Sequence, residues 1–235
     1  MERRDVDLVR GRHAFPGVLP AGVLQALSAS IATPRLHLSP LTAAHADAMF
    51  VPLQDDAIYR WISATPPGSL QALRERWARN ESRVSPDGTE AWLAWAVQRT
   101  SDGAHVGKID VSLDTTSTAN NVGYVFFSAF WGQGLATEAV TAVVEHLIGL
   151  GVTRLVATVT AGNEASARVL TKAGFAFARV IPDNDTIRGA LHDDEEYVRT
   201  APPAAGRALG TGASATTTSS SSNGAGTGPA IVAAR

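Results

Sequence analysis

Apolar side chains recur along this chain with two periods, and the switches between them mark out the elements. In "RLHLSPL" (35–41), Leu36 and Leu38 alternate with polar neighbours, as in a half-buried strand. "TAAHADAMFVPL" (42–53) reads as a helix with Thr42 as N-cap. "SLQALRERWARNESRV" (69–84) reads as a second helix, with Leu70, Leu73 and Trp77 on one stripe. Three strand-like runs follow, "AWLAWAVQR" (91–99), "HVGKIDVSL" (105–113) and "NVGYVFFS" (121–128), with "SDG" and "TTSTAN" as the turns between them. "TEAVTAVVEHLIGLG" (137–151) carries the strongest helical period: Val140, Val143, Val144, Leu147 and Ile148 fall at i, i+3, i+4, i+7 and i+8. Gly149 or Gly151 can end it. A strand "RLVATVTA" (154–161) comes next. A short helix "NEASARVLTKAG" (163–174) follows, capped by Asn163 or the residue before it and closed by Gly174. Closing strands lie in "FAFARVI" (175–181) and "LHDDEEYVRT" (191–200). Strands and helices mixed in this order predict an α+β domain, with helices covering a central, partly antiparallel sheet.

The pattern fails at both ends. "ALGTGASATTTSSSSNGAGTGPAIVAAR" has almost no large apolar side chain. Such a segment cannot bury enough surface to offset its ordering entropy, so 201–235 is expected to be a disordered low-complexity tail. Residues 1–32 are a weakly patterned N-terminal extension, which leaves 33–200 as the folded domain. The extension starts with arginines and contains the loosely apolar "FPGVLPAGVLQALSASIA". A secretory leader is disfavoured because Glu2, Asp5 and Asp7 fall in the basic region and Pro16 and Pro20 break the apolar one.

Composition narrows the chemistry. Hydrophobic residues are 45% of the 235, enough for a core, and no apolar run is long enough to span a bilayer. A formal charge of −2 offers no global attraction for nucleic acid or an anionic membrane. The absence of cysteine excludes disulfides, thiolate metal sites and cysteine nucleophiles, and a reducing, cytoplasmic setting is the expectation. None of the six histidines falls in metal-ligand spacing, so no metal is expected.

The stretch "FWGQGLATEAV" (130–140) carries the most information. Gly132, Gly134 and Ala136 remove bulk at alternate positions just before a helix. The unpaired N–H groups and positive dipole end of that helix would favour an anion. The amides of Gly132, Gln133, Gly134, Leu135, Ala136 and Thr137 could cradle a phosphate, or the stretch could be a plain strand-to-helix turn. A Walker loop is excluded because neither Lys108 nor Lys172 has the required spacing. A Rossmann fingerprint fails because Thr137 stands where its third glycine should be.

The combination "GQGLATEA", then a strand, then "NEASARVLTKAGF" resembles the GNAT superfamily of acetyl-CoA-dependent N-acetyltransferases. "TPRLHLSPLT", "VGYVFF" and "IRGALHDDEEYV" bring it nearest to the RimJ/RimL-like branch, and the likeness covers about 33–199. The resemblance implies a mostly antiparallel twisted sheet of about seven strands, splayed between the family's fourth and fifth, here "NVGYVFFS" and "RLVATVTA". It implies that pantetheine pairs with the free edge at Tyr124, Val125 and Phe126, that pyrophosphate takes the amides of 132–137, and that Asn163 contacts coenzyme A as well as capping its helix. Ser166 matches a serine near the thioester sulfur, a proton donor to the leaving thiolate or an ordinary first-turn serine. Asp110, an unusual carboxylate on a central strand, is a base candidate or an edge residue. Trp131 stands where many members carry Arg or Gln. Thr158 and Leu170 stand where other branches carry a glutamate base and a tyrosine acid. The activity implied is transfer of the acetyl group to a primary amine, a protein N-terminus or a small molecule, without an acyl-enzyme. A catalytically silent acyl-CoA-binding regulatory module is the alternative. A homodimer is compatible with the family; nucleic acid and membrane are not expected partners.

Overall fold

The computed structural model describes residues 21–114, 116, 118–201 and 232–233. The first helix among the described residues, α1 (Ala21–Leu27), and strand β1 (Ile31–Ala32) lie in the stretch expected as an extension. They pack on the domain: Val23 and Leu27 are buried in its core, and the Trp95 indole donates to the Ala29 carbonyl at 3.0 Å. Strand β2 (Leu36–Pro40) alternates as its sequence predicts, with Leu36 and Leu38 fully buried.

The helix expected over 42–53 is instead a series of short turns: a 3-10 turn Ala43–His45, α2 (Ala46–Met49), and 3-10 turns Pro52–Gln54 and Asp56–Arg60. Pro52 cannot donate into a continuing helix, and tertiary burial of Met49, Leu53, Ile58 and Tyr59 decides the rest. Helix α3 (Leu70–Asn80) starts where Ser69 accepts from the Ala72 amide at 3.1 Å, and it buries Leu73 and Trp77.

Strands β3 (Ala91–Arg99), β4 (His105–Leu113) and β5 (Thr118–Phe126) form an antiparallel meander. Helix α4 (Leu135–Gly149) follows, burying Val140, Val143, Val144 and Leu147. Then come β6 (Arg154–Thr160), α5 (Glu164–Lys172) and a hairpin of β7 (Ala176–Ile187) and β8 (Ala190–Thr200). Among the described residues the sheet runs β1-β2-β3-β4-β5-β6-β8-β7, with a two-residue strand β9 (Val232–Ala233) paired to β5. The rest of the stretch expected as a disordered tail lies outside the described residues, apart from Ala201.

Two cores cover the two faces. Val122, Tyr124 and Phe126 of β5 join α4 and α5 on one side. Val125 and Phe127 join the 41–62 segment and α3 on the other. All neighbours are antiparallel except the pairs β5–β6 and β5–β9, which are parallel. The β5–β6 pairing covers only Thr118–Arg154 and Ala119–Leu155. Beyond it the two strands separate, and the expected splay lies here.

Candidate active site

The head of α4 borders this gap. Gly132 and Gly134 have φ of +72° and +74°, a left-handed conformation that L side chains adopt at a cost. A Cβ on Gly132 would meet nothing within 4 Å. Backbone geometry, and not crowding by the protein, therefore requires glycine here, and the space in front of the loop is open. Gly134 is the N-cap of α4 and no side chain caps the helix. A cleft in front of it is lined by Gly132, Gly134, Thr137 and, from α5, Arg168 and Lys172. Cationic side chains thus face a dipole end that already favours anions. Lys172 was not singled out by the sequence; being one of only two lysines, four residues after Arg168, was the available signal. Arg168 also pairs with Glu164 at 3.1 Å.

Neighbouring side chains fix the loop. The Trp131 indole donates to the carbonyl of Phe126 at 2.7 Å, so the residue replacing the family's Arg or Gln ties the loop to the end of β5. Arg35 donates to the Gln133 carbonyl at 3.0 Å and pairs with Glu138 at 2.6 Å. Glu138 also accepts from the Thr33 hydroxyl and the Arg35 amide. Burial pushes the Glu138 pKa up, but these donors outweigh it and hold the carboxyl below its ordinary range. Glu138 is a clamp for the first turn of α4, not a base.

The edge of β5 that β6 leaves unpaired beyond Ala119 is turned toward the gap. Phe127 N–H donates to the Val106 carbonyl at 2.9 Å, which makes Gly107–Phe126 a non-hydrogen-bonded pair. The N–H of Phe126 therefore points away from β4, into the opening. Tyr124, two residues earlier, has the same orientation. Strand β9 lies along this edge at Tyr124 and Val125.

Ser166 and Asn163 stand across the gap. Ser166 is fully buried, with its Oγ 2.7 Å from the Tyr124 hydroxyl, which also donates to the Ser166 carbonyl at 3.2 Å. Burial pushes the Tyr124 phenol well above its ordinary pKa, so it stays protonated. Asn163 caps α5 by accepting from the Ser166 amide at 3.3 Å. Its Nδ2 is buried and has no hydrogen-bond partner among the described residues. Both readings of Asn163 are therefore compatible: the oxygen caps, and the amide nitrogen is a spare donor. An orphaned donor, an uncapped helix head and open space before two left-handed glycines fit a phosphate-bearing ligand with an amide-rich arm, as coenzyme A is.

Asp110 does not join this group. It pairs with Gly123 across β4–β5, and Gly123 and Tyr124 face opposite sides of the sheet. Its carboxylate is ion-paired with the buried Lys108, in a pocket beneath α3 lined by Trp77, Asn80, Trp92 and Asn121. The two residues suggested for catalysis, Ser166 and Asp110, lie on opposite faces. Of the acidic run Asp193, Asp194, Glu195 and Glu196 in β8, only Asp194 is buried.

A split mixed sheet with a helix head uncapped by any side chain at the split is the architecture of an acyl-coenzyme A acyltransferase. The sequence pattern described as an "Acetyltransferase (GNAT) domain" matches residues 35–176, and the chain belongs to this family of acetyl-CoA-dependent N-acetyltransferases. It is 25% identical over 167 residues to the uncharacterised N-acetyltransferase YoaA of Bacillus subtilis, covering 70% of this chain and 93% of that protein. Its fold matches RimL, a ribosomal L7/L12 α-N-protein acetyltransferase solved with coenzyme A, at a TM-score of 0.64, 19% identity and 73% and 97% coverage of the two chains. It also matches the ribosomal-protein-S5-alanine acetyltransferase of Vibrio fischeri at 0.63, with 16% identity and 73% and 96% coverage. These neighbours support the RimJ/RimL-like resemblance at the level of the fold.

Proposed function

We propose that the protein acetylates a primary α-amine, on a polypeptide N-terminus or a small molecule, by direct attack of the amine on the thioester of acetyl-CoA. The observation that carries this reading is the edge of β5 beyond its short pairing with β6, along which the two-residue β9 lies at Tyr124 and Val125. It runs from the α4 head to the Tyr124–Ser166 pair, with Phe126 N–H turned into the opening. The amides of 132–137 with Arg168 and Lys172 hold the pyrophosphate, and the β5 edge and Asn163 hold the pantetheine arm. Phe126 N–H polarises the thioester carbonyl, as a preorganised backbone donor does in other acyl transfers. The Ser166 hydroxyl, supported by Tyr124, donates a hydrogen bond to the departing sulfur. The nitrogen lone pair forms the new C–N bond, the C–S bond breaks, and the proton lost by nitrogen ends on sulfur.

The α-amine preference follows from acidity. An α-ammonium has a pKa of about 7.7–8.0 and a lysine ammonium about 10.4, so at neutral pH the neutral fraction of the former is larger by more than two orders of magnitude. Two of the structural neighbours are named for ribosomal-protein targets, one of them explicitly an α-N-acetyltransferase, which is consistent with this choice. The test is release of free coenzyme A near pH 7 with peptides bearing a free N-terminus, against the same peptides N-terminally blocked and carrying one lysine. Turnover confined to the first set supports the reading. Equal kcat/KM on both sets overturns the α-amine assignment, and tight acetyl-CoA binding without turnover on any amine favours a regulatory binding module.

A further inference from the structure

The far rim of the gap is β6, and its two faces differ. Leu155, Ala157 and Val159 point into the core beneath α4 and α5. Val156, Thr158 and Thr160 therefore point to the other face. On that face the cross-strand partners are Thr158 with Glu196 and Thr160 with Asp194. Partners in an antiparallel ladder carry their side chains side by side. Glu196 is occupied, held in a fork by the Arg179 guanidinium at 3.1 and 3.2 Å. Asp194 is not. It is 5% exposed, its Oδ2 accepts from Asn184 Nδ2 at 2.7 Å, and its Oδ1 is buried with no hydrogen-bond partner among the described residues.

An unpaired buried carboxylate oxygen is costly, and a fold that keeps one has left an acceptor position for something else. Contacts link the elements on this side. The Thr160 hydroxyl, beside Asp194 in the ladder, donates to the Trp61 carbonyl at 3.1 Å, and Gly162 lets the Trp61 ring approach to within 3.5 Å of where a Cβ would stand. Arg188, in the β7–β8 turn, pairs with Asp56 at 2.6 Å. The 55–61 segment is thereby tied both to the splayed end of β6 next to Asp194 and to the tip of the β7–β8 hairpin. All of this is on the face opposite the α4 head.

We propose that Asp194 is the group that receives the acceptor amine: its Oδ1 binds the incoming ammonium, takes one proton from it, and frees the neutral nitrogen for attack. This rests on the acyl-transfer reading above. The ammonium N–H bond breaks and an O–H bond forms on Asp194. The second proton leaves nitrogen after the C–N bond forms and ends on sulfur, and the proton on Asp194 passes to solvent. Burial raises the Asp194 carboxyl above the ordinary range, Asn184 partly offsets this, Asp185 raises it further, and Thr160 and His192 act the other way. Glu196, on the same face, is neutralised by Arg179. A raised carboxyl is better matched to taking a proton near neutrality than an ordinary one.

The test compares the full-length protein with Asp194→Asn and Asp194→Glu, using acetyl-CoA and free-N-terminus peptides from pH 6 to 9.5. Asn keeps the shape and an acceptor for Asn184 but cannot take the proton. The expected result is a fall in kcat/KM of about 100-fold at pH 6.5 for Asp194→Asn. The deficit should shrink to a few-fold above the amine's own pKa of about 8, where the acceptor arrives neutral. Asp194→Glu should recover part of the low-pH rate, and calorimetric affinity for acetyl-CoA should stay within about twofold. An Asp194→Asn enzyme as active as wild type at pH 6.5 overturns the proposal. So does a deficit constant across pH and accompanied by lost acetyl-CoA binding, which would make Asp194 structural. A wild type that binds acetyl-CoA yet acetylates no peptide would instead remove the acyl-transfer reading itself.

Discussion

The hydroxyl of Tyr124 on β5 lies 2.7 Å from the hydroxyl of Ser166 on α5, and both residues are fully buried. This contact bridges the strand whose edge faces the gap and the helix that closes it. Tyr124→Phe should leave acetyl-CoA affinity within about threefold and lower kcat by roughly 10-fold, because Ser166 loses the neighbour that orders its proton. Ser166→Ala should lower kcat by about 100-fold. The double variant should be little worse than Ser166→Ala alone, since residues acting as one unit are not additive. Steady-state kinetics on the four proteins decide it, and strictly multiplicative losses would show that the two act independently.

Gly134→Asp places a carboxylate at the head of α4 where an anionic ligand should lie. The nearest atom to its Cβ would be the Arg35 guanidinium at 3.6 Å, so there is room for the side chain, while the φ of +74° puts a modest backbone strain on it. Acetyl-CoA affinity should fall by at least about 100-fold through charge repulsion in the cradle, with the thermal midpoint lowered by only a few degrees. Calorimetry with acetyl-CoA, coenzyme A and ATP measures this. Unchanged acetyl-CoA binding would return the glycines to an ordinary turn.

Lys172→Glu tests the cationic wall of the same cleft. Acetyl-CoA affinity should fall by about 10-fold at low salt, and the gap between variant and wild type should narrow as ionic strength rises toward 1 M, where screening acts over about 3 Å. An affinity independent of both the substitution and the salt would remove Lys172 from the site.

Glu138→Gln probes the clamp on α4. Because the folded carboxyl is held below its ordinary pKa, its stabilisation is present above the unfolded value of about 4.3 and is lost as pH falls through the folded value. At pH 7 the variant should melt a few degrees below wild type, for a loss of about 1 kcal/mol. The two melting curves should converge near pH 3. A difference that persists there would show that shape, not charge, holds the first turn.

The meander, the two helices that follow it and the glycine loop ahead of α4 could be read from the sequence alone. Each is encoded in local spacing: the alternation of "AWLAWAVQR", the 3.6-residue period of Val140 to Leu147, and glycines at two left-handed positions. The sequence could not determine the 42–53 segment, where burial of Met49 and Leu53 overrode a helical period interrupted by Pro52. It left Ala21–Leu27 among the unpatterned residues, because the value of Val23 and Leu27 appears only once Trp95 and α4 stand beside them. The site divides in the same way. The glycine loop and the Asn163 cap were legible because each lies in one short stretch of sequence. The tertiary structure decided that Asp110 pairs with the buried Lys108 on the other face, that Tyr124 meets Ser166, and that Asp194, alone of the acidic run 193–196, is buried with an unpaired oxygen. Those are relations between strands distant in sequence, and strand pairing sets them through register, which a single chain's local pattern does not specify.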